Sequence, residues 1–280
     1  MPDVVNSSIR LFADDALLYR IINSPSDAAM LQDDLASLES WEATCQMAFN
    51  PSKCEVLRVT NKKKLVDALY TIHGTTLCTA DAAKYLGVTI HGSLSWKAHI
   101  NIITNKANST LGFLRRNLRK CPAETKKLAY NTYVRPILEY GSTVWDPLTK
   151  DLTNKIEMVQ RRSARFVKAD YNQRHSVTKM LQDLKWRTLC DRRAHSKVIM
   201  LYRIVHGFIT IPAGPPFFYP ASEATRGHPM QFCQRHCRIN AYQQQFFASV
   251  VPLWNRLPAT VVSASSLDQF RSRLSGLTLR

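Results

Sequence analysis

The chain has 280 residues, 45% of them hydrophobic, and a formal charge of +17 from 38 Lys and Arg against 21 Asp and Glu. That apolar content suffices for one large core or two smaller ones and excludes a chain disordered throughout. No apolar run approaches the roughly 20 residues needed to cross a bilayer, no signal-peptide pattern opens the sequence, and seven irregularly spaced cysteines exclude a secreted disulfide framework. The expectation is an intracellular protein, nuclear or cytoplasmic, with reduced thiols and no membrane partner.

The charge is unevenly placed. Residues 1–96 carry 8 Lys and Arg against 11 acids, −3; residues 97–206 carry 23 against 8, +15; residues 207–280 carry 7 against 2, +5. A basic middle third implies contact with a polyanion, because neutralising phosphates releases condensed counterions, and nucleic acid is the commonest candidate. A solvated helical face with no partner is the competing reading.

In chain order, "RLFADDALLY" predicts a hairpin, with Ile9 and Leu11, then Leu17 and Tyr19, in period-two alternation on either side of residues 13–16. Asp-Asp is a poor choice for a tight turn, so local structure alone does not explain the acidic pair. A helix follows, with Ser24 as N-cap, Pro25 at its first position and Asp27 closing the cap. Leu31, Leu35, Leu38 and Cys45 fall on its apolar face, with Asp33, Asp34, Glu39 and Glu42 toward water. "CEVLRVT" predicts a strand, and residues 69–90 predict two strand-turn-strand units punctuated by His73-Gly74 and Gly87. The first 96 residues therefore read as α+β, a small antiparallel sheet backed by a helix.

From Trp96 the period changes to 3.6. Ile100, Ile103, Ala107, Leu111, Leu114 and Leu118 form one apolar stripe of a helix that stops before Cys121-Pro122. A second helix runs from Ala123 to Tyr140, bent or interrupted at Pro136 and ended by Gly141. In the third, over residues 151–170, Leu152, Ile156, Val159, Ser163 and Phe166 share one face and Arg161, Arg165 and Lys168 the opposite one. A fourth is capped by Thr188 with Asp191 and runs to Gly207. Residues 211–230 are Pro-rich and read as a linker or extended loop, and a further helix is expected at 266–275.

Adjacent carboxylates at a hairpin tip repel one another unless a cation lies between them, which points to Mg²⁺. Two-metal phosphoryl-transfer sites use such carboxylates, although a solvated acidic turn is the commoner explanation of Asp-Asp alone. The order Phe-Ala-Asp-Asp, amphipathic helix, "FNPSKCEVLRV", "KYLGVTI" and basic helices resembles the later palm motifs and the thumb of reverse transcriptases, most of all those of non-LTR, LINE-type, jockey-like retrotransposons. "TLGFLRRNL", "LAYNTYVRPILEYGSTVWDP", "KIEMVQRRSARFV" and "FFASVVPLWNRLP" carry the resemblance along nearly the whole chain.

The resemblance implies an RNA-directed DNA polymerase built from part of a palm (1–96), a basic helical thumb and connection (97–208) and a helical C-terminal tail (209–280). Asp14 would be a Mg²⁺ ligand, Asp15 its less central neighbour, and Lys53 the acid that protonates departing pyrophosphate. Tyr85, Leu86 and Gly87 would grip the primer end. Arg115 and Arg116, with Arg161, Arg162, Arg165 and Lys168, would meet the backbone of an RNA template and DNA primer. Only eleven residues precede Phe12, so the upstream metal-binding aspartate and the fingers of that family have no counterpart, and Asp3 has no strand pattern around it. The expectation is a fragment inactive alone, completed by the remainder of the polymerase, or a nucleic-acid-binding protein without catalysis. His228, Cys233, His236 and Cys237 cluster within ten residues, but their spacing lacks the paired C-x-x-C of structural zinc sites, and ordinary thiols are the favoured reading.

Overall fold

The structure is a computed structural model that describes residues 2–62, 64–211, 228–234 and 236–279. The chain divides into two compact units, residues 1–95 and residues 96–280. Most of the Pro-rich stretch expected to be a linker, residues 212–227, lies outside the described residues.

The first unit is mixed α and β. Strands β1 (Ser8–Phe12) and β2 (Asp15–Tyr19) form an antiparallel hairpin, followed by α1 (Pro25–Cys45). Ser24 and Asp27 close a reciprocal capping box at the start of α1, which satisfies two backbone donors the helix would otherwise leave open. Next come β3 (Glu55–Leu57), β4 (Thr71–Ile72), β5 (Thr75–Thr76), β6 (Cys78–Ala80), β7 (Ala82–Tyr85) and β8 (Val88–His91). Among the described residues the eight strands form four separate two-stranded ladders, three of them antiparallel, in keeping with the α+β expectation, and one, β3 with β6, parallel. Strands of two to five residues cannot carry a continuous buried face, which leaves α1 to organise the unit.

Both expected turns are present. His73-Gly74 joins β4 to β5 and Leu86-Gly87 joins β7 to β8, with φ of 51° and 68° and of 46° and 80°. Positive φ at both central positions is what a two-residue turn of the I′ type requires, which glycine meets without strain. A β-carbon on Gly92 would lie 2.6 Å from the Arg58 carbonyl oxygen, so only glycine lets the chain after β8 pass the chain after β3.

The predicted face of α1 needs correction. Cys45 is exposed, whereas Asp34 and Glu42 are buried. Asp34 accepts the backbone N–H groups of Asn6 (2.7 Å) and Ser7 (2.8 Å), and Glu42 receives His73 Nε2 at 2.8 Å and the N–H of Phe49. Gln32 and Glu39 on the same helix bond the backbone of Thr71 and His73. These polar anchors flank a small core of Ala28, Tyr70, Ile72 and Leu77.

The second unit is helical: α2 (Lys97–Asn117), α3 (Ala123–Ala129), α4 (Arg135–Glu139), α5 (Lys150–Lys168), α6 (Val177–Asp183), α7 (Leu189–Val205), α8 (Asn240–Gln244), α9 (Phe246–Asn255), α10 (Ala259–Val262) and α11 (Leu267–Ser275). The predicted stripe of α2 is buried at Ile100, Ile103, Ala107, Leu111 and Leu114. Tyr130–Val134 forms a π-helical turn between α3 and α4. Its wider winding accommodates Pro136, which has no N–H for the preceding turn and whose ring crowds the carbonyl four residues back.

Helix α7, capped by Thr188 as expected, joins two packed groups. It contacts α4 and α5 on one side and α9 and α11 on the other. Its Ala194, Val198, Leu201 and Tyr202 share a core with Trp254, Val261, Val262, Phe270 and Leu274. Asp146, fully buried after α4, receives Arg193 Nε at 2.9 Å and Lys197 Nζ at 3.0 Å, and Lys197 also reaches Ser249 Oγ on α9 at 2.9 Å. Among the described residues no helix is long and apolar enough to cross a membrane, and none of the seven cysteines is joined in a disulfide.

Candidate functional site

The acidic pair sits where the hairpin reverses. Phe12 pairs with Asp15 at the end of the ladder, so the turn consists of Ala13 and Asp14, two residues rather than the four of the sequence reading. Ala13 is held at φ 51°, a left-handed conformation that costs a residue with a β-carbon about 1–2 kcal/mol. Asp14 and Asp15 are exposed, and Phe12 beside them is 62% exposed. A tight turn thus presents two carboxylates and an aromatic ring to solvent.

The base of this hairpin is fixed by α1. Asp34 grips the two residues that lead into β1, and Arg20, just past β2, donates to Ser7 Oγ at 3.2 Å. Burial by itself would raise the Asp34 carboxyl, but the Ser7 and Asn6 hydrogen bonds and the Arg20 charge outweigh it and hold the group below its ordinary 3.8. A depressed folded-state value means that its contribution is fully present above 3.8 and is lost as pH falls through the folded value. Asp34→Ala leaves two N–H groups without their anionic acceptor and is expected to destabilise the first unit by about 2–3 kcal/mol. Asp34→Asn should flatten the acid limb of its stability profile, followed by far-UV circular dichroism against urea from about pH 6 down to about pH 3, across the ordinary carboxylate range. An acid limb identical to that of wild type would refute the role.

Lys53 lies in a short 3₁₀ turn, Pro51–Lys53, with Asn50 as its cap, and is exposed. Among the described residues no ion pair joins it to Asp14 or Asp15. Tyr85 ends β7 and Leu86-Gly87 make the β7–β8 turn, with Tyr85 half-buried and Gly87 exposed. Among the described residues no group of three or more His, Cys, Asp or Glu side chains is placed to hold a metal ion. Mg²⁺ takes one or two protein carboxylates at a phosphate site, but a two-ion centre also needs a carboxylate that bridges both ions. The described donor set does not fit such a centre, and no catalytic step is derived through it. The His228 to Cys237 cluster does not converge either: His228 is buried with Nε2 on the Trp254 carbonyl (3.0 Å), while Cys233 and His236 are exposed.

The cations of the second unit have three fates. Arg115, Arg116, Arg162 and Lys168 are exposed and Arg161 is half-buried. Arg162 bonds Asn108 at 3.1 Å and Lys155 bonds Asn101, two rungs seven residues apart that tie α5 alongside α2 while leaving both charges near solvent. Arg165, half-buried, lies along the chain that follows α5, donating to the carbonyls of Asn172 (2.7 Å), His175 (3.3 Å) and Asp170 (3.4 Å). Lys126, Arg193 and Lys197 are buried, with Lys126 against the Phe166 ring. The +15 of residues 97–206 is therefore only partly displayed. Sequence reasoning missed Lys155, whose place on the α5 surface shows once Arg162 rather than Arg161 is taken as the centre of that face.

No family model matches the chain, and no solved structure matches it significantly. It is 29% identical over 175 residues to the probable RNA-directed DNA polymerase from transposon BS of Drosophila melanogaster, covering 60% of this chain and 19% of that protein. It is 25% identical over 198 residues to the probable RNA-directed DNA polymerase from transposon X-element of the same organism, 68% of this chain and 22% of that protein. Against the RNA-directed DNA polymerase from mobile element jockey of Drosophila funebris it is 26% identical over 161 residues, 56% and 18%. The chain spans about a fifth of the length of these curated relatives. Its similarity, in keeping with the motifs spread along the sequence, is thus to the RNA-directed DNA polymerases of non-LTR, jockey-like retrotransposons.

Proposed function

We propose that the chain is part of an RNA-directed DNA polymerase of a non-LTR retrotransposon and by itself binds nucleic acid without extending a primer. Residues 1–96 would serve as part of the palm, 97–208 as the thumb and connection, and 209–280 as the tail. Asp14 and Asp15 would contribute carboxylates to a Mg²⁺ site, with Lys53 as the general acid and Tyr85, Leu86 and Gly87 at the primer end. Arg115, Arg116, Arg161, Arg162 and Lys168 would meet the template-primer backbone, while Arg165 would act on it indirectly by shaping the loop after α5. The observation that carries this reading is the tight turn that presents Asp14 and Asp15 to solvent, in a chain similar to these polymerases. The lack of a third carboxylate beside it, among the described residues, supports inactivity of the chain alone.

The test is primer extension on an RNA template with Mg²⁺, run beside binding of the same RNA–DNA hybrid over a range of salt. The expected result is binding that weakens steeply with salt, with log K falling by about 0.9 per phosphate contact per log unit of salt for duplex DNA, and no extended product. Extension by wild type that is lost in Asp14→Ala would overturn the inactivity and leave the metal role standing. An absence of salt-dependent binding would overturn the nucleic-acid reading.

A further inference from the structure

Beyond the C-terminus of α5 the chain makes a loop, residues 169–176, before entering α6, and a cleft of about 440 Å³ lies there. Its volume falls within the roughly 300–1,000 Å³ of ligand pockets. Lys168, Arg174 and Lys179 supply cations, Asp170 and Asp183 carboxylates, and Met180 an apolar floor. Met180 is buried, whereas both carboxylates and all three cations reach solvent. The cleft is thus an open groove rather than an enclosed chamber, and an open groove suits a polymer passing through it.

The pairing of its charges leaves a specific surplus. Asp183 is taken by Lys168, Nζ to Oδ2 at 3.3 Å, and Asp170 by His175, Nδ1 to Oδ2 at 2.7 Å. The Arg174 and Lys179 side chains have neither a hydrogen bond nor an ion pair among the described residues; only their backbone N–H groups are engaged. The loop that presents Arg174 is held from beneath. Arg165 bonds the carbonyls of Asp170, Asn172 and His175, the Asp170 and Asn172 side chains accept N–H groups two residues on, and Arg115 lies 5.2 Å from the centre of the Tyr171 ring. A loop fixed in this way loses little further freedom when a ligand binds, which favours affinity.

We infer that this groove seats a phosphodiester of a nucleic-acid strand, held by Arg174 and Lys179, with Met180 against the sugar. Neither cation was among the residues singled out by the sequence, because only the fold of the loop brings position 174 beside position 179. The inference rests on the nucleic-acid reading above and adds a defined contact to it. Arg174 offers a planar fork of donors to a phosphate and Lys179 a mobile point charge, a combination that fits one phosphate group and reads no base.

The test uses the full chain and a short fluorescein-labelled RNA–DNA hybrid, with affinity measured by anisotropy over a series of KCl concentrations. The variant Arg174→Ala/Lys179→Ala is compared with wild type, with Lys62→Ala/Lys64→Ala, which removes two exposed charges from the first unit, and with the conservative exchange Arg174→Lys/Lys179→Arg. The expected result is a salt slope shallower by about 0.9 for the double alanine variant, the value of one phosphate contact, with an unchanged circular dichroism spectrum. The control and the conservative exchange should stay near wild type. Wild-type binding with a double alanine slope equal to that of the control would overturn the groove and leave the nucleic-acid reading intact. Wild type that fails to bind the hybrid would overturn both.

Discussion

Asp146→Ala is expected to destabilise the second unit by about 3–5 kcal/mol, a large share of the roughly 5–15 kcal/mol that holds a domain folded. Asp146 is the carboxylate that faces both Arg193 and Lys197, and the three side chains are no more than 2% exposed. Removing it leaves two cations in a dry interior without the charge that offset their desolvation. The position also ties three parts of the unit together: Trp145, against which Arg193 packs at 6.0 Å, the α7 helix, and α9 through Lys197 and Ser249. Urea unfolding followed by tryptophan fluorescence should show the midpoint falling steeply. Replacing all three partners with apolar residues of similar size should recover most of the loss, since a buried ion pair contributes little over a well-packed apolar substitute. A single-variant change under about 1 kcal/mol would show that the carboxylate is not sealed from solvent as the structure has it.

Trp254→Ala should cost a similar amount, about 3–5 kcal/mol for the cavity and lost packing of a buried aromatic. Trp254 is fully buried at the centre of the core shared by α7, α9, α10 and α11. Its ring lies 6.0 Å from Phe270 and 6.2 Å from Phe232, and its Nε1 donates to the Met230 carbonyl at 2.8 Å. Asn255, the next residue, exchanges two hydrogen bonds with the backbone of Phe232, so residues 228–234 are pinned to the end of α9 by these neighbours. The alanine variant should therefore combine a lower urea midpoint with faster proteolytic cleavage around residues 228–234. Trp254→Phe keeps most of the volume but loses the N–H donor, and should lose about 1 kcal/mol plus the smaller packing deficit. Cleavage rates equal to wild type in the alanine variant would show that the segment is held by something other than this ring.

Asp146 and Asp34 are residues whose importance the sequence could not disclose. Asp146 sits in "VWDP", where an aspartate before proline reads as a turn residue, and its partners are 47 and 51 positions further on. Asp34 reads as a solvent-facing charge on an amphipathic helix, yet its acceptor oxygens serve backbone donors 27 and 28 residues earlier in the chain. In each case a charged side chain is turned inward by a partner distant in sequence, and periodicity carries no trace of such a partner.

What the chain determined by itself was local chemistry: the capping box of Ser24 and Asp27, the Thr188 cap of α7, the left-handed turns at His73-Gly74 and Leu86-Gly87, and the apolar stripe of α2. Each depends on residues a few positions apart, so the sequence holds both partners in view. The similarity to retrotransposon polymerases was legible for the same reason, through short motifs such as residues 12–15. Tertiary structure alone decided which charges serve the fold and which remain available. It buried Asp34, Asp146, Arg193 and Lys197, turned Arg165 onto the loop carbonyls, and left the Arg174 and Lys179 side chains unpaired among the described residues at an open groove. The physical reason is that desolvation of a charge is set by everything packed around it, and in this molecule those neighbours come from elements dozens of residues apart.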